Sequence, residues 1–444
     1  MKKRFPGPRA TAGLIFAAAF LAFFAVWGTA QRVVAVPNEA YENLKIFTDV
    51  FGIVQQDYAE PVDSKKLIYG AVKGMVRDLD PHSSFMTPEE YGEMQVDTKG
   101  VFGGIGIEIG LKDNTLTVVA PIEDTPAHKA GLLAGDRIVK INETFTKDMS
   151  LTDAVNMMRG PKDTAVTIHI MREGFDSPKA FTLVRAIIKV KSIKQKTLEE
   201  GFGYVRITQF QENTAVDLEK ALKEITPKDG KLKGLILDLR NNPGGLLQEA
   251  VSVSNLFLNV GTIVSTKGRI PGQDMIFNAD GAKTQPDYPM IVIVNMGSAS
   301  ASEIVAGALQ DHKRAVILGT ATFGKGSVQT IIPLTDGSAI RLTTAKYFTP
   351  SGRSIQAKGI EPDIVVGETV KGFLKEKDLA GHFPPTDTIH EGVEKKEDKK
   401  ETLDKRKVMD QKAKGEEGED VQLKRAVDYL KSWQIFKTTM QKAG

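Results

Sequence analysis

"MIVIVNMGSASASEIVAGALQDH", residues 290–312, carries an apolar run into a corner of small residues and then into a second, helix-like apolar stretch. The run reads as a strand buried on both faces, and a helix entered straight from such a strand is the repeating unit of an α/β sheet. The corner holds Gly297, with Ser298, Ser300 and Ser302 on alternate positions. A hydroxyl at a strand-to-helix corner can cap the helix, act as a nucleophile, or do both.

The same alternation extends over residues 180–368. "YVRITQF", "GLILDL" and "RAVILG" read as strands, while "ENTAVDLEKALKEI" and "GLLQEAVSVSNLFL" read as amphipathic helices. Functional loops in such sheets lie beyond the C-terminal ends of strands. Two loops stand there: "DLRNNPGG" at 238–245, and the serine corner. Acyl transfer needs a nucleophile, a base and two donors for the developing oxyanion. Ser300 precedes a helix start, so the N–H of Ala301 is a candidate donor, and Gly244 or Gly245 lets a second N–H approach closely. No histidine sits in a glycine-rich loop at a strand end. In "TATFGKGSVQT", however, Lys325 stands between two glycines. A lysine serves as general base when burial lowers its pKa toward about 7 to 8. Gln329 is close enough in sequence for its amide oxygen to orient that amine. Ser298 and Ser302 read as structural, Ser302 as the helix N-cap. Asp238 and Arg240 read as an ion pair tying a strand end to a neighbouring loop.

Upstream, residues 38–98 read as a helical region. "EAYENLKIFTDVFGIVQQDY" lines up Leu44, Phe47, Phe51, Val54 and Tyr58, and "KKLIYGAVKGMVRDL" lines up Leu67, Ala71, Met75 and Leu79. In "DPHSSFMTPEEY", Thr87 suits an N-cap and Pro88 the first helical position. From 100 to 175, glycine-broken strands alternate with a short helix at 127–130 and a second helix in "SLTDAVNMMRG", and the module closes on the strand "TAVTIHIMRE". This order resembles a PDZ domain. Gly104, Ile105, Gly106 and Ile107 match the loop with which PDZ domains hold a peptide's C-terminal carboxylate, using successive backbone N–H groups and an adjacent strand edge. Arg159, after the second helix, is a candidate link between this module and the core, or a sensor of bound peptide.

The chain ends set location and assembly. Lys2, Lys3, Arg4 and Arg9 precede an uncharged stretch, residues 10–30, long enough to span a hydrocarbon core. Residues 1–31 are therefore expected to be a signal anchor or signal peptide, with the remainder exported to the periplasm or cell envelope. Residues 369–420 are a charged linker, and 421–444 an amphipathic helix with Leu423, Val427, Leu430 and Trp433 on one face, in need of a partner surface. There is no cysteine, which excludes a thiol nucleophile, a thiolate metal site and a disulfide framework. A net charge of +3 without a concentrated basic face does not suit nucleic acid.

Four blocks together resemble the carboxyl-terminal processing (tail-specific) protease family: "DPHSSF", the PDZ module with "MRGPKDT", "DLRNNPGG", and "GSASASEIVAGAL" followed by "FGKGSVQT". The resemblance covers residues 40–365. It implies an α/β multidomain protein: a helical arm, a PDZ domain, a protease core of crotonase-like or ClpP-like type, and a C-terminal helical segment. It further implies Ser300 as nucleophile, Lys325 as base, Gln329 as orienter, and the N–H groups of Ala301 and Gly245 as oxyanion donors. Implied too are a homodimer, an activating or adaptor partner, protein substrates with free C-termini, and no cofactor or metal. Two rival readings are a non-catalytic PDZ adaptor and a crotonase-type acyl-CoA enzyme. The glycine-flanked Lys325 opposes the first, and the export segment and PDZ module oppose the second.

Overall fold

Two helices open the described chain where the apolar periodicity puts them, α1 (Asn38–Asp57) and α2 (Ser64–Arg77). The computed structural model describes residues 38–227, 230, 232–270, 274–367, 374–385 and 420–443. The expected anchor, and most of the expected linker, lie outside those residues. Among the described residues no helix is long and apolar enough to cross a membrane. The apolar stripe that the sequence lines up on these helices is exposed at Leu44, Phe47, Tyr58, Met75 and Leu79. Periodicity gives an apolar face its direction, and it does not supply the surface that covers it.

β1 (Ser84–Met86) is followed by α3 (Pro88–Lys99). Thr87 caps α3 as expected: its Oγ1 accepts from the Glu90 N–H at 3.3 Å, and its own N–H donates to the Glu90 carboxylate at 2.7 Å. The helix runs directly into the PDZ module.

That module contains β2 (Val101–Gly104), β3 (Ile107–Lys112), β4 (Thr115–Pro121), α4 (Pro126–Lys129), β5 (Arg137–Ile141), β6 (Thr144–Phe145), α5 (Leu151–Met158) and β7 (Ala165–Met171). β8 (Lys179–Val184) and β9 (Ala186–Lys189) complete it. Its sheet runs β3-β4-β5-β7-β8, with β6 on β5, while β2 pairs with β9. The sequence reading closes the module on β7 and opens the core near 180. In the structure β8 pairs antiparallel with β7, and Leu183 is buried with Ile138, Ile168 and Ile170. An isolated alternating strand carries no label for the sheet it will join.

The core follows as β10 (Ile193–Thr197), β11 (Phe202–Ile207), α6 (Thr214–Ile225), β12 (Gly234–Asp238), α7 (Leu247–Asn255), β13 (Gly261–Gly268), β14 (Met275–Ala279), β15 (Met290–Val294), α8 (Ala301–Asp311), β16 (Val316–Gly319), β17 (Ser327–Pro333), β18 (Ala339–Phe348) and β19 (Ile364–Val365). One sheet has the order β10-β11-β12-β15-β16-β19, parallel apart from β10. Its alternate side chains serve two layers. Leu235, Leu237, Val292 and Val294 pack with α6, α7 and α8. Ile236, Ile291, Ile293 and Leu318 pack beneath α9 (Val421–Ala443) through Ala426 and Leu430. The C-terminal helix therefore covers its own sheet, although Trp433, expected on the buried face, is 57% exposed. A second, antiparallel sheet joins β1, β18, β13, β14 and β17, and it forms the far wall of the cleft described next.

Candidate active site

The three alternate serines have different work. Ser298 Oγ donates to the Leu239 carbonyl at 2.8 Å and accepts from the Asn295 N–H at 3.0 Å. Ser302 Oγ donates to the Asn242 carbonyl at 2.9 Å. Both are fully buried, and they fasten the corner to the 238–245 loop. The cap position expected of Ser302 is taken by Ser300, because α8 already begins at Ala301. Ser300 adopts φ +55°, ψ −112°, a region that costs a non-glycine residue about 1–3 kcal/mol and is held only where the surroundings over-determine it. Its partly exposed side chain lines a cleft of about 290 Å³.

The same cleft is lined by Ala301, Gly245, Lys325 and Gln329, so the residues singled out in three separate loops meet. Among the described residues the N–H groups of Ala301 and Gly245 make no hydrogen bond. The Gly244 N–H is taken by Asn242 Oδ1 at 2.9 Å, which leaves Gly245 as the available donor of the pair. Gly244 lets the loop close on the corner, since a Cβ there would lie 2.9 Å from the Ser300 Cβ and 3.0 Å from the Ala301 nitrogen.

Glu303 was not singled out from the sequence. It is fully buried, and its carboxylate accepts from the Ser300 N–H at 2.8 Å, Thr322 Oγ1 at 2.5 Å, the Gly324 N–H at 2.7 Å and the Lys325 N–H at 2.9 Å. One side chain thus fixes both the serine corner and the lysine loop. Burial pushes its carboxyl up to about 7, against the lowering effect of those four donors. The signal was present in the sequence as the capping-box spacing from Ser300 to Glu303.

Lys325 is held beside it. Removal from water is the main cause that brings its amine down to about 8, and the Arg341 guanidinium adds to this, while Glu376, Glu303 and Asp80 oppose it. The lysine loop is also tied from behind: the Gly326 N–H donates to Gln356 Oε1 at 2.9 Å, Gln356 Nε2 donates to Glu376 at 2.7 Å, and Glu376 pairs with His82 at 2.7 Å. "DPHSSF" thereby contributes His82 and also Asp80, which accepts from Thr343 Oγ1 at 3.1 Å. Gln329 departs from the expected contact. Its Nε2 donates to Ser327 Oγ at 3.0 Å and Thr343 Oγ1 at 3.2 Å, and it makes no hydrogen bond to Lys325. Tyr347, also missed, lines the cleft with Ser300, and its fully buried hydroxyl has no hydrogen-bond partner among the described residues. Asp238 and Arg240 do pair, at 2.7 Å, and Arg240 also pairs with Asp420 at 2.8 Å, where α9 begins.

A second groove, of about 330 Å³, lies in the PDZ module between β3 and α5, lined by Gly104, Ile105, Gly106, Ile107, Val155 and Met158 among others. Gly106 has φ +78°, and a Cβ there would overlap Thr125, whose Oγ1 donates to the Gly106 carbonyl at 3.0 Å. The N–H groups of Ile105 and Gly106 make no hydrogen bond among the described residues. Arg159 lines this groove, its guanidinium 4.8 Å from the centre of the Phe102 ring. α3 joins the two sites: Thr98, at its end, lines the serine cleft, and Phe102, just beyond, lines the PDZ groove.

Residues 201–366 match Peptidase family S41, residues 117–172 match the PDZ domain family, and residues 28–90 match the N-terminal domain of the activating protease CtpB. A carboxy-terminal-processing protease of Bartonella bacilliformis is 52% identical over 78% of this chain and 82% of its own length. The chain belongs to the carboxy-terminal-processing proteases of family S41. A Synechocystis member is 38% identical over 76% of this chain and 80% of its own. Among solved structures, a photosystem II D1 C-terminal processing protease aligns at 31% identity over 72% of this chain and 92% of that one, with a TM-score of 0.43. The protease is a serine peptidase with a PDZ domain and an N-terminal helical region, as the sequence reading expects.

Proposed function

We propose that the protease captures the unstructured C-termini of exported proteins in its PDZ groove and hydrolyses them at Ser300. A peptide adds to the β3 edge with its carboxylate on the N–H groups of the Gly104–Ile107 loop. The upstream chain then passes along α3 into the serine cleft. Neutral Lys325 takes the Ser300 proton, and the Ser300 oxygen attacks the peptide carbonyl. The Ala301 and Gly245 N–H groups stabilise the oxyanion, the protonated Lys325 gives its proton to the leaving amine, and the lysine then takes a proton from the water that attacks the acyl-enzyme and returns it to Ser300. Gln329, whose amide oxygen has no partner among the described residues, orients the lysine once the amine turns toward it.

The observation that carries this reading is the meeting, in one cleft, of a strained serine, a lysine lowered to about 8 and two unengaged N–H groups. Arg159, stacked on Phe102 at the groove mouth, couples occupancy of the PDZ groove to the core. The N-terminal stretch supports an anchored or secreted location in the periplasm or cell envelope. The exposed apolar face of α1 supports a homodimer, and the match to an activating-protease domain supports regulation by a partner protein. The test is digestion of an unstructured peptide by wild type, Ser300→Ala and Lys325→Ala, with free and amidated C-termini. Cleavage by wild type alone, slowed by amidation, is the expected result. Cleavage that survives in Ser300→Ala overturns the assigned nucleophile.

A further inference from the structure

The serine cleft has an uneven charge. Its walls mix apolar side chains, Met94, Phe210, Leu247, Ile304, Val328 and Ile331 among them, with uncharged polar ones. Among the described residues, and Tyr347 apart, Lys325 and Arg341 are its only ionisable lining residues, and no carboxylate lines it. Lys325 has to be neutral to act as a base, so the lasting charge in the cleft belongs to Arg341.

Arg341 is placed for contact with substrate. It lies on β18, where side chains two apart share a face. Thr343, which accepts from Gln329 Nε2, is on the face that Arg341 shares, while Tyr347, beyond the register shift in β18, lines the same cleft. Its register partners are Ser84 in β1 and Ile331 in β17, and Ile331 lines the same cleft. The residue is exposed, and among the described residues its guanidinium has neither an ion pair nor a hydrogen bond. This contrasts with Arg172, Arg185 and Arg240, whose guanidinium groups are all engaged. A planar fork of donors with no protein partner, in a cleft without carboxylates, is matched to a carboxylate brought in by the ligand.

We infer that Arg341 is a specificity-determining residue that selects peptides presenting a carboxylate within reach of the scissile bond and disfavours those presenting a cation there. The inference rests on the hydrolytic reading of this cleft. A side-chain carboxylate of Asp or Glu and the substrate's own terminal carboxylate share the chemistry. The second source would mean trimming of only a few residues from the chain end.

The experiment uses the full chain and a set of unstructured peptides with one cleavage site, carrying Glu, Gln or Lys in turn at each position flanking that bond, with free and amidated termini. Each is read as kcat/KM for wild type, Arg341→Gln, Arg341→Glu and Arg341→Lys. At one position wild type should prefer Glu over Lys by about tenfold or more. Arg341→Gln should bring that ratio close to one, Arg341→Glu should invert it, and Arg341→Lys should retain part of it. The ratio is taken within each variant, so a general loss of activity does not imitate the effect. A preference seen only with a free terminus next to the site assigns the terminal carboxylate, and one that survives amidation assigns the side chain. A Glu-to-Lys ratio that is the same in wild type, Arg341→Gln and Arg341→Glu overturns the proposal. Failure of wild type to cleave the Gln peptides, or cleavage by Ser300→Ala, would instead overturn the hydrolytic reading.

A second readout follows from charge. Arg341 lowers the pKa of Lys325, and Glu376, Glu303 and Asp80 act on the same amine in the opposite direction. Removing the cation raises the lysine's pKa, so the rising limb of the Arg341→Gln pH profile should move to higher pH on the uncharged Gln peptide. A limb that does not move separates substrate recognition from any influence on the base.

Discussion

The serine cleft and the PDZ groove use the same device, backbone N–H groups that a tight turn leaves without partners, and they differ in what holds the turn. In the cleft the turn is strained at Ser300 and anchored by a fully buried carboxylate, Glu303, which also grips the lysine loop. In the PDZ groove Gly106 needs no such anchor, because glycine adopts its φ of +78° at little cost, and its carbonyl is held by the Ile122 N–H at 2.9 Å with the Thr125 hydroxyl beside it. Chemistry requires atoms from three loops to keep one arrangement, so the core uses a buried charge whose removal would leave several donors unsatisfied. The proposed capture requires an open edge and a carboxylate nest, which a rigid glycine turn is suited to supply. The contrast predicts that damage to the cleft acts on turnover, whereas damage to the groove acts on capture.

Ser300→Ala and Lys325→Ala should have the largest effect, lowering kcat by about 10³-fold or more, while peptide binding to the PDZ groove, followed by fluorescence anisotropy, stays at the wild-type level. A parallel loss of binding would break the separation. Glu303→Gln should come next. It keeps the volume but points an amide N–H₂ at groups that are themselves donors, so we expect a destabilisation of about 1–3 kcal/mol, a lower melting temperature and a fall in kcat with KM little changed. Gly106→Ala should act in the opposite way, raising KM for long substrates severalfold while kcat at saturation changes little, because the added Cβ meets Thr125.

The pH profile sharpens the same comparison. In the proposed mechanism the lysine acts when neutral, and burial lowers its conjugate acid to about 8. Below that pH the amine is protonated and kcat should fall as pH drops, whereas binding by the PDZ groove, which we propose engages a carboxylate through backbone N–H groups, should stay flat from about pH 6 to 9. A flat kcat profile across that range would argue against a lysine base. The smallest effect on turnover is expected for Leu430→Ala in the C-terminal helix. It should cost about 2–5 kcal/mol of stability, as buried leucines do, and lower the melting temperature, yet leave kcat within a fewfold of wild type at 25 °C.

Much of this was legible in the sequence because the signals are local. Apolar runs separated by amphipathic helices specify a covered parallel sheet, Thr87 followed by Pro88 and Glu90 specifies a capped helix, and glycines flanking Lys325 specify a loop. Lys325 and the glycines at 244 and 245 stand in short stretches of unusual composition, and the family resemblance is what narrowed the serines to Ser300 and the glycines to Gly245. Glu303 was overlooked although its capping-box spacing was visible, since a glutamate in a first helical turn is ordinarily exposed, and only the approach of the Thr322–Lys325 loop buries it. The serines show the same limit. Alternate spacing did not reveal that Ser298 and Ser302 fasten one loop to another while Ser300 faces the cleft.

The sequence by itself determined the elements, their order and the chemistry available at the strand ends, because hydrophobic periodicity, capping and glycine turns act over a few residues. Tertiary structure decided which sheet received β8, which surface α9 covers, which amide donor stays open, and how far the lysine is desolvated. Each of those depends on groups far apart in the chain: Gly326 with Gln356, His82 with Glu376, and Arg240 with Asp420. Burial and partner choice follow from the packing of the whole chain, and no short stretch encodes them.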